Sequence, residues 1–291
     1  MQARAGSVGD RPERCCRINP ICVTEPARSG FPERGGHVTR MSSAFVESAV
    51  PGLNPSRPKA PAKLCAAFAA DRPQPELLAL VGRMVQALGL PAGQLQLVTG
   101  LAGGAAAGPV CGVNVAPGGQ GHPALRTVCA GEVYGARQAA QALDSGLAGQ
   151  PGMTDAALAA TLMHQYGGAA LQRLTGIFSL LAASPDTPHV VAANDRLGFS
   201  PLYYLLCDDL LLIASEAKAI AAVADVRPDP AAAGQFFYIG HMLRHQTLWR
   251  EIKALGPGQL IDWKPPSGAV RTYYDMARHP VSAETPATMD Q

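Results

Sequence analysis

The sequence predicts an α+β protein. Three observations carry this. Apolar residues recur at steps of three and four in several separate stretches, as amphipathic helices require. Between these lie paired apolar runs joined by short polar turns, the pattern of antiparallel hairpins. The two patterns alternate along the chain, with no G-x-G-x-x-G fingerprint, no Walker loop and no repeat of roughly twenty to fifty residues.

Order begins at residues 63–70, KLCAAFAA, a short apolar strand. QPELLALVGRMVQALGL follows, with Leu77, Leu78, Val81, Met84, Val85 and Leu88 on one helical face and Pro75 near its first turn. Residues 95–98 and 110–115 read as strands, and the Gly- and Ala-rich stretch 100–108 between them reads as flexible. Residues 125–129 are a further strand, after which GEVYGARQAAQALDSG turns into a helix ending near Gly146. Thr154 or Asp155 caps the helix DAALAATLMHQYG, which stops at Gly167-Gly168. Runs 176–183 and 189–193 form a hairpin around Ser184-Pro185-Asp186. Runs 203–206 and 210–214 form a second around Cys207-Asp208-Asp209. Ser215 caps a short helix over 216–223. Asp229-Pro230 opens another, with Asp as N-cap and Pro at the first helical position. GQLIDW and VRTYYD close the ordered part as strands.

Composition excludes several classes. The 291 residues are 47% hydrophobic and only 16% charged, with a net charge of +2. The folded part has no cluster of Lys and Arg for nucleic acid. No apolar run reaches the roughly eighteen residues of a membrane span, and residues 1–40 contain no apolar signal core. The chain therefore reads as cytoplasmic with reduced cysteines. Residues 1–62 read as a disordered extension and linker, basic at first and Pro-rich later. The first forty hold seven Arg against four acids. Residues 63–276 read as one domain and 277–291 as a frayed tail. Cys15, Cys16, Cys22 and His37 do not complete a metal ligand set. His241 and His245, four apart, lack a third ligand. No metal or cofactor is expected. Ser179, Ser200 and Ser215 have no nucleophile-elbow pattern.

The most specific stretch is NDRLGFSPLYY, followed by a strand and ASEAKAI. Asp195 and Arg196 can pair or cap the turn after a strand. Gly198 supplies a backbone shape that a side chain would hinder. Tyr203 and Tyr204 point to opposite faces of the next strand. These segments resemble RDRLGIKPLYY and ASEIKAL of the asparagine synthetase family. LQRLTGIFSLLA, TLWREIKALGPGQLIDW and AGEVYGARQAAQAL resemble further segments of that family in the same order. The resemblance covers about residues 64–275. It implies the N-terminal class II glutamine amidotransferase domain, an N-terminal-nucleophile (Ntn) hydrolase with a four-layer αββα sandwich.

The resemblance also implies site residues. In that family a cysteine following the initiator Met attacks the side-chain amide of glutamine, its own α-amine acting as base. LCAAFAAD aligns Cys65 with this nucleophile, and its amine is free only if the chain is cut between Leu64 and Cys65. The family's NGE oxyanion triplet is Ala130-Gly131-Glu132 here, so Gly131 keeps its backbone donor while the Asn amide is lost. Loss of one such donor costs about 10²–10³ in rate. Glu132 and Asp155 match the two acids that hold the α-amine of glutamine, and read equally as a helix-start acid and an N-cap. The carboxylate-clamping Arg has no counterpart in CGVNVAP, nor does the HRGPD loop in LGLPAG.

In asparagine synthetase an ATP-using domain with an SGGxDS loop follows; this sequence holds no SGG. The expected function is accordingly an impaired amidotransferase domain of the asparagine synthetase family. It would serve as scaffold or partner of a separate ATP-dependent, amide-forming synthetase, with L-glutamine a weak ligand. The alternatives are an active glutaminase matured at Cys65, and a non-enzymatic fragment.

Overall fold

The computed structural model describes residues 63–278 apart from 71, 90–95, 99–103, 108–110, 117–124, 144, 149–152, 185–186 and 208. The expected extension over 1–62, most of the tail over 277–291, and Cys15, Cys16, Cys22 and His37 lie outside these residues. The centre of the Ser184-Pro185-Asp186 turn does too.

Among the described residues two six-stranded sheets form. The first contains β1 (Leu64–Ala69), β2 (Gln96–Val98), β3 (Gly104–Ala107), β8 (Tyr203–Leu206), β9 (Leu210–Ala214) and β10 (Lys253–Ala254), in the order β10-β8-β9-β1-β3-β2. The second contains β4 (Cys111–Ala116), β5 (Leu125–Tyr134), β6 (Thr175–Ala183), β7 (Val190–Asn194), β11 (Gln259–Lys264) and β12 (Ser267–Thr272), in the order β12-β11-β7-β6-β5-β4. Every pairing is antiparallel. Helices α1 (Gln74–Ala87) and α5 (Ala217–Ala221) cover the first sheet. Helices α2 (Ala136–Ala142), α3 (Asp155–Tyr166) and α4 (Gly168–Leu171) cover the second.

The layers follow from the two-residue period of the strands. All six residues of β1 are buried, because this central strand is covered on both faces. Leu64, Ala66 and Phe68 meet Val128, Ala130, Leu181, Ile261 and Trp263 between the sheets. Cys65, Ala67 and Ala69 face Leu77, Val81 and Met84 of α1 and Ile220 of α5. In β6, Leu181 and Ala183 face the other sheet, whereas Phe178, Leu180 and Ala182 face α3. The result is helix, sheet, sheet, helix: the four-layer αββα sandwich. Each fully buried Leu, Val or Phe stabilises it by about 1.5–3 kcal/mol.

Some elements depart from expectation. β3 forms in the Gly/Ala stretch read as flexible, because its backbone pairs with β1 on one side and β2 on the other. β5 runs to Tyr134, five residues beyond the expected end. Ser215 does not cap α5, whose N-cap is Glu216 without a side-chain bond. The Ser215 hydroxyl instead accepts from Leu64 N–H at 3.1 Å, stapling the start of β1 to the end of β9. Cys207 is disulfide-bonded, so reduced thiols throughout do not hold. Asp229 caps α6 (Pro230–Ile239) as read, accepting from Ala231 N–H at 3.0 Å and Ala232 N–H at 3.3 Å.

Candidate functional site

Cys65 is the second residue of β1, fully buried, opposite Ala214 of β9 and Ala106 of β3. Its side chain lies on the helix-facing side of the sheet. The residues ahead of it are anchored: Lys63 Nζ reaches Glu216 Oε1 at 2.7 Å and donates to Leu88 O at 2.9 Å.

Gly131 lies in β5 opposite Phe178, with φ of +96°. A Cβ there would stand 2.2 Å from the Ile177 carbonyl oxygen. Its diagonal neighbour Gly176, φ +129°, would collide with the Glu132 carbonyl oxygen in the same way. The two glycines let β5 and β6 approach each other closely, and that steric demand alone requires glycine at both. Beyond this pinch the strands outrun the cover of the first sheet. Ala130 is buried in the inter-sheet core, but Glu132, next on the same face, is exposed. Tyr134 and Ile177 are also exposed, at 55% and 54%. The Tyr134 phenol donates to Glu132 Oε2. This bond, and the carboxylate's charge, push the phenol above its ordinary range.

Ser179, opposite Ala130 in β6, ties the neighbouring loop to this mouth, its Oγ 2.7 Å from Ser200 Oγ and 3.1 Å from Ser200 O. That loop is the DRLGFS segment. Asp195, 1% exposed, organises it: Oδ1 accepts from Leu197 N–H at 3.0 Å and Phe199 N–H at 3.2 Å, and Oδ2 from Ser200 N–H at 2.8 Å. A carboxylate satisfied by backbone donors is at home when buried. Asp195 thus caps the turn and does not pair with Arg196. The Arg196 guanidinium donates to Gln172 O at 2.5 Å and stacks 5.0 Å from the Tyr274 ring centroid. Gly198, φ +70°, has Pro257 where a Cβ would come within 3.1 Å. Tyr203 packs toward the helices and Tyr204 between the sheets, the opposed faces expected of them.

Asp155 is the first residue of α3, whose N-cap is Thr154, accepting from Ala157 N–H at 3.2 Å. Its carboxylate pairs with Arg137 Nε at 3.3 Å. Asp155 and Glu132 are each already engaged by a neighbour. Gly131 and Glu132 thus lie in the last part of β5, and Asp155 is tied to Arg137 of the helix that follows it. The structure places the Cys65 side chain behind the first sheet, away from the inter-sheet face that carries Ala130 and Glu132. The side chains of β4, where the missing Arg would stand, lie outside the description.

Two histidines form a separate cluster on the second sheet. His164 of α3 and His189 have ring centroids 4.2 Å apart. His189 Nε2 lies 3.0 Å from Asp262 Oδ1, whereas His164 Nε2 is buried without a hydrogen-bond partner. Burial, then the His189 ring, lowers His164 to about 4. Burial also lowers His189, opposed by Asp262. His241 and His245 do not share a helix, because α6 ends at Ile239 with Gly240 as its left-handed cap. Among the described residues no group of His, Cys, Asp and Glu has metal-ligand geometry, and no helix is long and apolar enough to cross a membrane.

The four-layer sandwich is the fold of a class II, Ntn-type glutamine amidotransferase domain. Residues 120–274, more than half of the chain, match the glutamine amidotransferase domain family, and the chain belongs to that family. The match includes Gly131, Glu132, Asp155 and Asp195 but starts after β1 and Cys65. Among curated proteins, glutamine-hydrolyzing asparagine synthetase 1 of Bacillus subtilis is 30% identical over 129 residues, 44% of this chain and 20% of that protein. The chain thus spans about a fifth of that relative. Among solved structures, glutamine phosphoribosylpyrophosphate amidotransferase of B. subtilis, with ADP and GMP, aligns over 72% of this chain and 49% of its own, with 14% identity and a TM-score of 0.44. A structure described as the allosteric regulatory enzyme of purine biosynthesis aligns over the same shares with 17% identity and the same TM-score, 0.44.

Sequence reasoning missed Tyr134 as the partner of Glu132 and the bond from Ser179, opposite Ala130, to Ser200. Strand period offered a signal. Ser179 shares a face with Leu181 and Ala183, so a polar residue there marks where the inter-sheet core opens.

Proposed function

We propose that this domain, residues 63–276, is an amidotransferase domain impaired in glutamine hydrolysis. It serves as the scaffold or partner of a separate ATP-dependent, amide-forming synthetase. The observation that carries this reading is the face of β1 on which Cys65 lies. The thiol side chain packs against α1 and α5 rather than on the face that carries Glu132. Ala130 has no side-chain donor for an oxyanion. Glu132 remains able to hold an ammonium group, so weak L-glutamine binding is compatible with lost turnover.

A covalent probe tests the impairment. The full chain is incubated with a diazo-ketone analogue of glutamine, and its peptides are weighed. Unmodified Cys65 is the expected result. Stoichiometric label on Cys65 contradicts the proposal.

A further inference from the structure

We propose that the outer face of α6 and the loop after it form a docking surface for an acidic amphipathic helix of a partner protein. The inference rests on the reading that the domain serves a partner.

α6, PAAAGQFFYI, buries only Ala232. Phe237 is 87% and Tyr238 90% exposed, with Phe236 at 46% and Ile239 at 38%. Past the Gly240 cap, Leu243 and Leu248 are exposed at 47% and 40%. Two adjacent aromatic residues in water on one helix, with exposed aliphatic residues after its cap, are apolar surface of the kind that marks interaction sites. Beside it runs an open groove of about 680 Å³, with Tyr203, Phe236, Met242, Leu248 and Trp249 in its walls. A groove bounded by a helix and aromatic side chains suits the apolar stripe of a second helix.

Charge selects the occupant. Lys218 and Arg244 line the groove, and Lys253 lines a second hollow behind the same loop. The groove's acid, Glu216, is held by Lys63 and Lys218 at 2.7 Å each. Glu251 nearby is held by Arg227 at 2.8 Å. Arg244, Arg250 and Lys253 have no acidic partner among the described residues, so the rim is positive. Residues 1–62 carry nine Lys and Arg against five Asp and Glu, and would meet this rim with like charge. A second copy would oppose the same positive rim to itself. An acidic segment is the complement.

The test uses the full chain and fluorescent eighteen-residue peptides. One carries Leu at i, i+3, i+4 and i+7 spacing with Glu elsewhere. A second replaces Glu with Lys, and a third replaces Leu with Ser. The Glu/Leu peptide is expected to bind about tenfold or more tighter than either relative. The double variant Phe237→Ser/Tyr238→Ser should weaken it about tenfold without shifting the melting temperature, and Arg244→Glu/Lys253→Glu should reverse the preference toward the Lys peptide. Four results overturn the proposal. One is absence of Glu/Leu peptide binding, and a second is equal binding of all three peptides. A third is a self-association that Phe237→Ser/Tyr238→Ser abolishes. The fourth is cross-linking of Lys59 onto Lys218 or Lys253 that excludes the peptide. The assay reads docking alone, so its failure is distinct from any result on glutamine.

Discussion

Acidification should destabilise this domain through His164, and the size of the effect follows from its surroundings. Burial and the adjacent His189 ring hold His164 at about 4 against an ordinary 6.5. The groups facing the pair are Asp262 and Lys264 of β11, with Arg271 of β12 at 4.0 Å from Asp262. The folded state therefore keeps His164 neutral at pH values where the unfolded chain takes up a proton. Stability from this source is complete above about pH 6.5 and declines as pH falls toward 4. At pH 5 the linkage amounts to about 2 kcal/mol, and solvent at the partly exposed ring trims it to about 1–2 kcal/mol. His189, also lowered, adds in the same direction. Urea unfolding at pH 8 and pH 5 measures the loss, and His164→Gln, which cannot titrate, should lose most of it. An identical pH dependence in His164→Gln and the parent, or a parent more stable at pH 5, refutes the argument.

Other substitutions test the site's framework. Gly131→Ala must put a methyl against the Ile177 carbonyl at positive φ, and should cost about 1–3 kcal/mol in thermal unfolding. Asp195→Ala leaves the N–H groups of Leu197, Phe199 and Ser200 without their acceptor, and should cost on the order of 3 kcal/mol. Asp195→Asn, retaining one oxygen, should cost less. Ala130→Asn restores an amide but crowds the inter-sheet core, so it should lower the melting temperature by the equivalent of about 1–3 kcal/mol and yield no ammonia from glutamine. Glutaminase activity in that uncleaved variant defeats the account of Cys65.

Where the sequence carried contrast, the fold was legible. The β8–β9 hairpin falls where two apolar runs flank Cys207-Asp208-Asp209, and Asp229-Pro230 starts α6, because turn and cap chemistry are local. β3 was not legible. Gly104–Ala107 has no strand propensity of its own, and its order comes from β1 and β2, partners distant in sequence. The extension of β5 was hidden for a similar reason. Gly131 and Gly176 permit a close approach that only the paired strands reveal. Motif order singled out Gly131, Glu132 and Asp155. It did not tell which way Cys65 faces. Every residue from Leu64 to Ala69 is apolar, so KLCAAFAA carries no alternation to separate its two faces.

The most direct test of the central claim pairs the intact mass of the protein, purified from its own host, with ammonia release from L-glutamine by the same sample. The account predicts a mass that includes Lys63 and Leu64, and no ammonia above the rate without protein. A mass beginning at Cys65, with ammonia released, contradicts it: the strand would then start at a free amine, and the domain would be a working glutaminase.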